Sequence, residues 1–377
     1  MSMRPALTLL LLATSGVGWT RALEPASSAE FCGRCHRAIL EAWKTSAHAN
    51  AMESALFQEG LELTGTTFGE NTERTCLSCH APLAGLIKDF ALRQKVSWEG
   101  VTCDYCHSVR SVSLAGVNPR ATVELSLVKS GPLKDAVAPV HGTQYSAVHT
   151  SSLICAPCHE YRNSLGFPVL TTYSEWQKTR YAKEGRDCQS CHMYSVAGQV
   201  VDPRVLKTTG AKINLHQMPG SHSIDQLNRT IKAQLSTARE GDHLRIVVEV
   251  SNVAAGHYVP TGSPMRQLIL EVTADPYGGR QFREERIYRR SVADKQGKPV
   301  ELEPYAFVGG ARTISDNRLA PDEKRTETFT FPIPASTQTQ VQATFWYYYS
   351  PLAQTESQKR LTFLTLRRLV PPLRAGK

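Results

Sequence analysis

Five times in this sequence two cysteines stand three apart and a histidine follows at once. The units are Cys32, Cys35, His36; Cys76, Cys79, His80; Cys103, Cys106, His107; Cys155, Cys158, His159; and Cys188, Cys191, His192. All ten cysteines lie in them. Histidine is 12 of 377 residues, so five histidines behind five such pairs would arise by chance with odds of roughly 10⁻⁸. A C-x-x-C-H unit is the attachment signal of a c-type haem. The two thiols add to the porphyrin vinyl groups, and the adjacent histidine binds the iron. The pattern predicts five covalently bound c-type haems, each with its iron.

Two other chemistries use paired cysteines. Zinc held by Cys76, Cys79, Cys103 and Cys106 would need no histidine after each pair, and five pairs leave one unmatched. A disulfide within C-x-x-C closes too small a loop to staple a fold, and leaves the histidines unexplained.

A six-coordinate haem needs a second axial ligand. Seven histidines lie outside the motifs: His48, His141, His149, His216, His222, His243 and His257. Methionine could serve instead and would raise the potential, with Met193 and Met218 the ones placed among the site-like residues. The count favours bis-histidine ligation from His48, His141, His149, His216, His222 and His257. His48 follows His36 by twelve residues, a span of about 18 Å in a helix, so it is expected at a neighbouring haem. His149 and His141 precede Cys155. His216 and His222 flank a Pro219-Gly220 turn that can aim two imidazoles apart. His257 sits in the loop NVAAGHYVPTGSP, from where it could cap a haem. His243 reads as an exposed residue ahead of a strand.

These side chains need elements to position them. Residues 36–44, HRAILEAWK, place Ile39, Leu40 and Trp43 at helical spacing. Residues 61–75 read as loop, and 111–148 as a long insert with a strand pair around ATVELSLV. A haem every forty residues or so is too dense for an ordinary apolar core, so the haems themselves should form it, among short helices and little sheet. Beyond residue 225 the pattern changes. LRIVVEV, QLILEVTAD, ETFTFPIP, QVQATFWYYYS and KRLTFLTL are strand-like runs separated by turns. The expected fold is α+β: a mostly helical, loop-rich pentahaem domain over 23–225, then an all-β sandwich over 226–377.

Residues 1–22 read as a secretory signal, with Arg4 ahead of an apolar run and a cleavage site after Ala22. No later run is long enough to span a membrane. The expected place is the periplasm, or else the extracellular space or outer-membrane surface. The net charge is +9. It is better read as counter-charge to haem propionates than as a nucleic-acid surface, because no aromatic-basic motif accompanies it.

Residues 30–225 resemble the multihaem c-type cytochromes that include the nitrifier tetrahaem cytochromes and hydroxylamine-oxidoreductase-like proteins. The likeness lies in CGRCHRAILEAWKTSAH, GVTCDYCHSV, HGTQYSAVHTSSLICAPCHE and YSEWQKTRYAKEGRDCQSCHM. It implies distal-ligand roles for the histidine after the tryptophan, His48, and the one before a later motif, His149. It also implies an appended sandwich around the GHYVPTG loop. All five motifs end in His, unlike pentahaem nitrite reductases, which carry a Lys at one. No counterpart of the hydroxylamine oxidoreductase tyrosine crosslink stands out among Tyr173, Tyr181 and Tyr194.

The expected function is electron transfer between redox partner proteins, a quinol-side donor and a periplasmic or outer-membrane acceptor. The sandwich would dock a partner through Trp346 and Tyr347–Tyr349. Two alternatives stand beside it. One is an oxidoreductase with one five-coordinate haem acting on a small nitrogen or sulfur oxyanion. The other is a subunit of an extracellular cytochrome filament.

Overall fold

The computed structural model describes residues 26–207 and 212–373. The signal predicted for residues 1–22 lies outside them. The fold is α+β, with short helices toward the N-terminus and antiparallel sheets toward the C-terminus.

The first helix, Ala29–Gly33, starts where Ser28 accepts from the Phe31 N–H. Arg37–Lys44 follows, as its spacing predicts, and buries Leu40 and Trp43. Residues 61–75 are not loop. They belong to two helices, Ala55–Phe68 and Glu70–His80. Gly69, at φ +85°, ends one and starts the other. Two glycines and several threonines in Ala55–Phe68 lower its helix propensity. Tertiary packing overrides this, because Leu61 and Leu77 close over Met52, Ala81 and Ala84.

Short two-stranded ribbons fill the rest of the motif region. The insert does not form the single strand pair expected around ATVELSLV. Arg120–Val123 pairs with Val109–Ser113, and Val128–Gly131 runs parallel to Gly142–Tyr145. Apolar clusters in this region are small, such as Ala29, Leu40 and Trp43, or Ala26, Leu83 and Val96. Clusters of that size cannot hold so much chain without a further filling.

The large apolar core lies between two C-terminal sheets. One has His243–Asn252 between Ile231–Glu240 and Lys324–Phe331. The other runs Phe282–Tyr288, Gln267–Pro276, Thr339–Tyr348, Arg360–Val370. Leu244, Ile246, Val248 and Val250 alternate inward from one sheet. Leu268, Leu270, Val272 and Ala274 do so from the other, beside Val341, Ala343 and Phe345. This is a sandwich, and each fully buried Leu, Val or Phe contributes about 1.5–3 kcal/mol.

Two sandwich strands carry no strand-like signature in the sequence. Ile231–Glu240 and Phe282–Tyr288 are edge strands whose alternation is polar and charged, the usual protection of an edge. Tyr347 and Tyr349 are buried in the core, so they do not form the docking face expected of them. Trp346 points the other way, under the Arg360 guanidinium at 4.4 Å.

Candidate haem centres

The motifs lie on short helical turns, the first running out of Ala29–Gly33 into a turn at Cys35 and His36. The helices Glu70–His80, Cys103–His107 and Cys188–His192 end at the motif histidine, and Cys188–His192 begins where Asp187 accepts from the Ser190 N–H. Cysteines three apart on a helix share one face. None of the ten is in a disulfide. Among the described residues no three His, Cys, Asp or Glu side chains gather as a metal-chelating group.

Cysteines of different motifs approach one another. Cys32 stands beside Cys103, Cys79 beside Cys158, and Cys155 beside Cys188, each close enough to perturb the other's thiol. Cys106 lies close enough to Cys155 and Cys158 to disfavour their thiolates. The first motif is thus beside the third, the third beside the fourth, and the fourth beside both the second and the fifth.

Metal–imidazole bonds of about 2 Å put the centroids of two rings sharing one iron about 6 Å apart. Four of the five motif histidines face such a ring. His36 faces His141 at 6.2 Å, and His159 faces His48 at 6.2 Å. His192 faces His257 at 6.4 Å, and His107 faces His216 at 6.4 Å. His48 is therefore opposite the fourth motif, not its own, as the helix-length argument requires.

The ring nitrogens complete the fit. A carbonyl oxygen only accepts, so a nitrogen bonded to it must carry the proton. Nδ1–H donates to Val200 O from His36 at 2.7 Å, to Ser130 O from His107 at 2.6 Å, and to Pro219 O from His192 at 2.6 Å. The facing rings do the same: His141 to Gly142 O at 2.9 Å, His216 to Asn214 O at 2.8 Å, His257 to Tyr258 O at 2.9 Å. His48 Nδ1 donates to the Met218 sulfur at 2.8 Å. Each bond leaves the Nε2 lone pair for a metal. Burial pushes His48 and His216 down to about 4 and His159 to about 3, so these rings stay neutral, the form that binds metal. The residues fit five c-type haems.

Three expected residues sit differently. His149 stacks on His107 at 5.5 Å, but its Nε2 donates to Cys106 O at 2.9 Å and its Nδ1 is buried without a partner. His222 stacks on Tyr349 at 4.3 Å, and among the described residues it is not paired with a motif histidine ring. His80 has Phe57 against its ring at 3.9 Å, and among the described residues no second histidine faces it as one faces the other four. Met218 serves His48, and Met193 ends the last motif helix. His243 opens a strand, exposed, as expected.

Sequence reasoning missed the carbonyls that orient the rings, because any residue type can supply one. It also missed Glu175 and Arg318, which pair in the interior at 2.8 Å.

Residues 31–108 match the family described as cytochrome c554 and c-prime. No curated protein matches the chain. A penta-heme cytochrome c552 from Thermochromatium tepidum superposes with a TM-score of 0.70 at 20% identity, over 92% of this chain and 99% of that one. At that identity the likeness shows a shared fold, and its coverage takes in the sheets as well as the motifs. The structural-genomics target SoR45 aligns over 39% of this chain and 93% of its own at 8% identity, with a TM-score of 0.21, too low to inform the fold.

Proposed function

We propose that this chain is an exported pentahaem c-type cytochrome that carries electrons between protein partners. The observation that carries this is the facing of four motif histidines by second histidines about 6 Å away, with Nδ1 bonded and Nε2 left over on seven of the eight rings. A bound haem supplies reversible one-electron exchange at its iron. The protein's part is to hold and tune. Cys32, Cys35, Cys76, Cys79, Cys103, Cys106, Cys155, Cys158, Cys188 and Cys191 tether the rings. His36, His80, His107, His159 and His192 bind one side of each iron. His141, His216, His48 and His257 would supply the second ligand at the first, third, fourth and fifth sites. Backbone carbonyls behind His36, His107, His192, His141, His216 and His257 fix those imidazole planes and raise their basicity, and the Met218 sulfur holds His48. The fold brings cysteines of different motifs side by side, which would set neighbouring haems close together, as a relay requires.

The family match over the first three motifs supports placing the chain near the nitrifier tetrahaem cytochromes. The signal-like residues 1–22 support export to the periplasm, with a quinol-side donor and a periplasmic or outer-membrane acceptor as partners. Four sites have facing histidines within one chain, and among the described residues only the His80 site leaves a position that a neighbouring copy's ligand would fill in a filament. The test is a redox titration of the purified protein. Five haems titrating reversibly support the carrier reading, and fewer attached haems than motifs contradict it.

One observation favours a second role. His80 faces Phe57 rather than a histidine, so its haem is the one expected to be five-coordinate. The Arg266 cation is within electrostatic reach of His80 and of His222, and disfavours the protonated form of each. A small oxyanion would find a cation there. Carbon monoxide added to the reduced protein should bind one haem in five. No binding would remove this second role.

A further inference from the structure

His257 belongs to the sheets, and His192 to the last motif. Something must hold one against the other. The loop from His257 to Thr261 is fixed nearly residue by residue. Asn252 Nδ2 donates to His257 O at 3.1 Å. Val259 exchanges backbone bonds with Leu319 at 2.9 and 3.0 Å. Arg318 Nη1 donates to Pro260 O at 3.3 Å, and its guanidinium lies 4.6 Å over the Tyr258 ring. All these partners come from the sheets and their loops.

Glu175 is different. It lies on the helix Thr172–Gln177, between the fourth and fifth motifs. Its Oε2 accepts from the Tyr258 N–H at 3.2 Å and from the Thr261 hydroxyl at 2.8 Å. Its Oε1 accepts from Arg318 Nη1 at 2.8 Å and from the Thr171 hydroxyl at 2.7 Å. Four donors saturate a carboxylate that is 8% exposed. Burial alone would raise its pKa, but Arg318 and the two threonine hydroxyls outweigh this and hold it below the usual carboxylate range. Thr172 adds a hydroxyl contact to Thr261 at 2.9 Å.

We propose that Glu175 is a positioning residue, the group through which the motif region sets His257 against His192 and so fixes the sixth ligand of the fifth haem. The proposal rests on the ligation reading above. It makes the fifth haem report on the seating of the sandwich. A shift of the loop at Tyr258 moves both the His257 backbone and the carbonyl that orients its ring.

The experiment uses the full, haem-loaded protein and reads total haem, low-spin iron by paramagnetic resonance, and reduction potentials. Arg318 keeps a counter-charge without Glu175, through two bonds to Asp316 at 2.8 and 2.9 Å, so Glu175→Ala leaves no orphaned guanidinium. His257→Ala should keep all haems and lose one low-spin signal. Glu175→Ala should keep all haems, and broaden or convert that same signal and shift that same potential. The double variant should match His257→Ala, because Glu175 acts only through the ring. Thr261→Val, which removes the hydroxyl contacts to Glu175 and Thr172 and spares the ion pair, should shift the same potential less and in the same direction. It decides the matter if Glu175→Ala does not mature. A Glu175→Ala protein that melts earlier yet keeps every signal and potential would show the residue to be structural only, and overturn the proposal. An unchanged low-spin count in His257→Ala would instead overturn the ligation reading at the fifth site, and the proposal with it.

Discussion

The carbonyl of His48 accepts from the Val101 N–H at 3.0 Å, while Gly100, at φ +67°, passes so near that a Cβ there would stand 2.1 Å from the same oxygen. Trp43 Nε1 donates to Val101 O at 3.0 Å from the other side. The segment before the third motif thus places the ligand facing the fourth. Gly100→Ala should disturb His48 and cost one low-spin haem signal with total haem unchanged, as read by paramagnetic resonance. At the third site two imidazoles compete, and the tautomer decides between them. His216 keeps Nε2 free, whereas His149 spends Nε2 on Cys106 O. His216→Ala should therefore lose one low-spin signal while His149→Ala keeps them all. The opposite pattern would assign His149. At this scale the motif cysteines and histidines are plain in the sequence, because the attachment chemistry demands fixed spacing. The distal ligands are not, because which ring meets which iron depends on contacts dozens of residues apart. His149 and His222 were as well placed along the chain as His141 and His216, and only the fold separates them.

Elements succeed or fail as sequence signals according to what they bury. His243–Asn252 and Gln267–Pro276 alternate strongly because one face of each meets the sandwich core. Ile231–Glu240 and Phe282–Tyr288 do not, because an edge strand carries charge to stay unpaired. The helices Ala55–Phe68 and Glu70–His80 were hidden by glycine and threonine, and by a core of only a few side chains. Leu270 is fully buried and packs between the sheets. Leu270→Ala should cost about 2–5 kcal/mol in urea unfolding followed by circular dichroism, with total haem unchanged. A loss of haem from that variant would mean that the sandwich and the haem sites do not fold as separate cores.

Over the whole molecule, two kinds of core lie in one chain. The sheets bury a continuous apolar cluster, whereas the motif region has small clusters around the ten cysteines. Produced without haem attachment, the chain should keep its sheets and lose its motif region. Limited proteolysis should then leave a C-terminal fragment starting near residue 225. The α+β division was readable from the cysteine distribution and from the change of hydrophobic period. The joining of the two parts through His257 and Glu175 was not, because Glu175 lies in an ordinary helix with no motif around it.

The most direct test of the account is a count of iron states in the purified ferric protein, by optical and paramagnetic-resonance spectra against total haem. Four facing histidine pairs and one motif histidine against a phenylalanine predict five haems, four of them low-spin and one high-spin. Fewer than four low-spin irons would contradict the pairing of imidazoles on which the carrier reading stands.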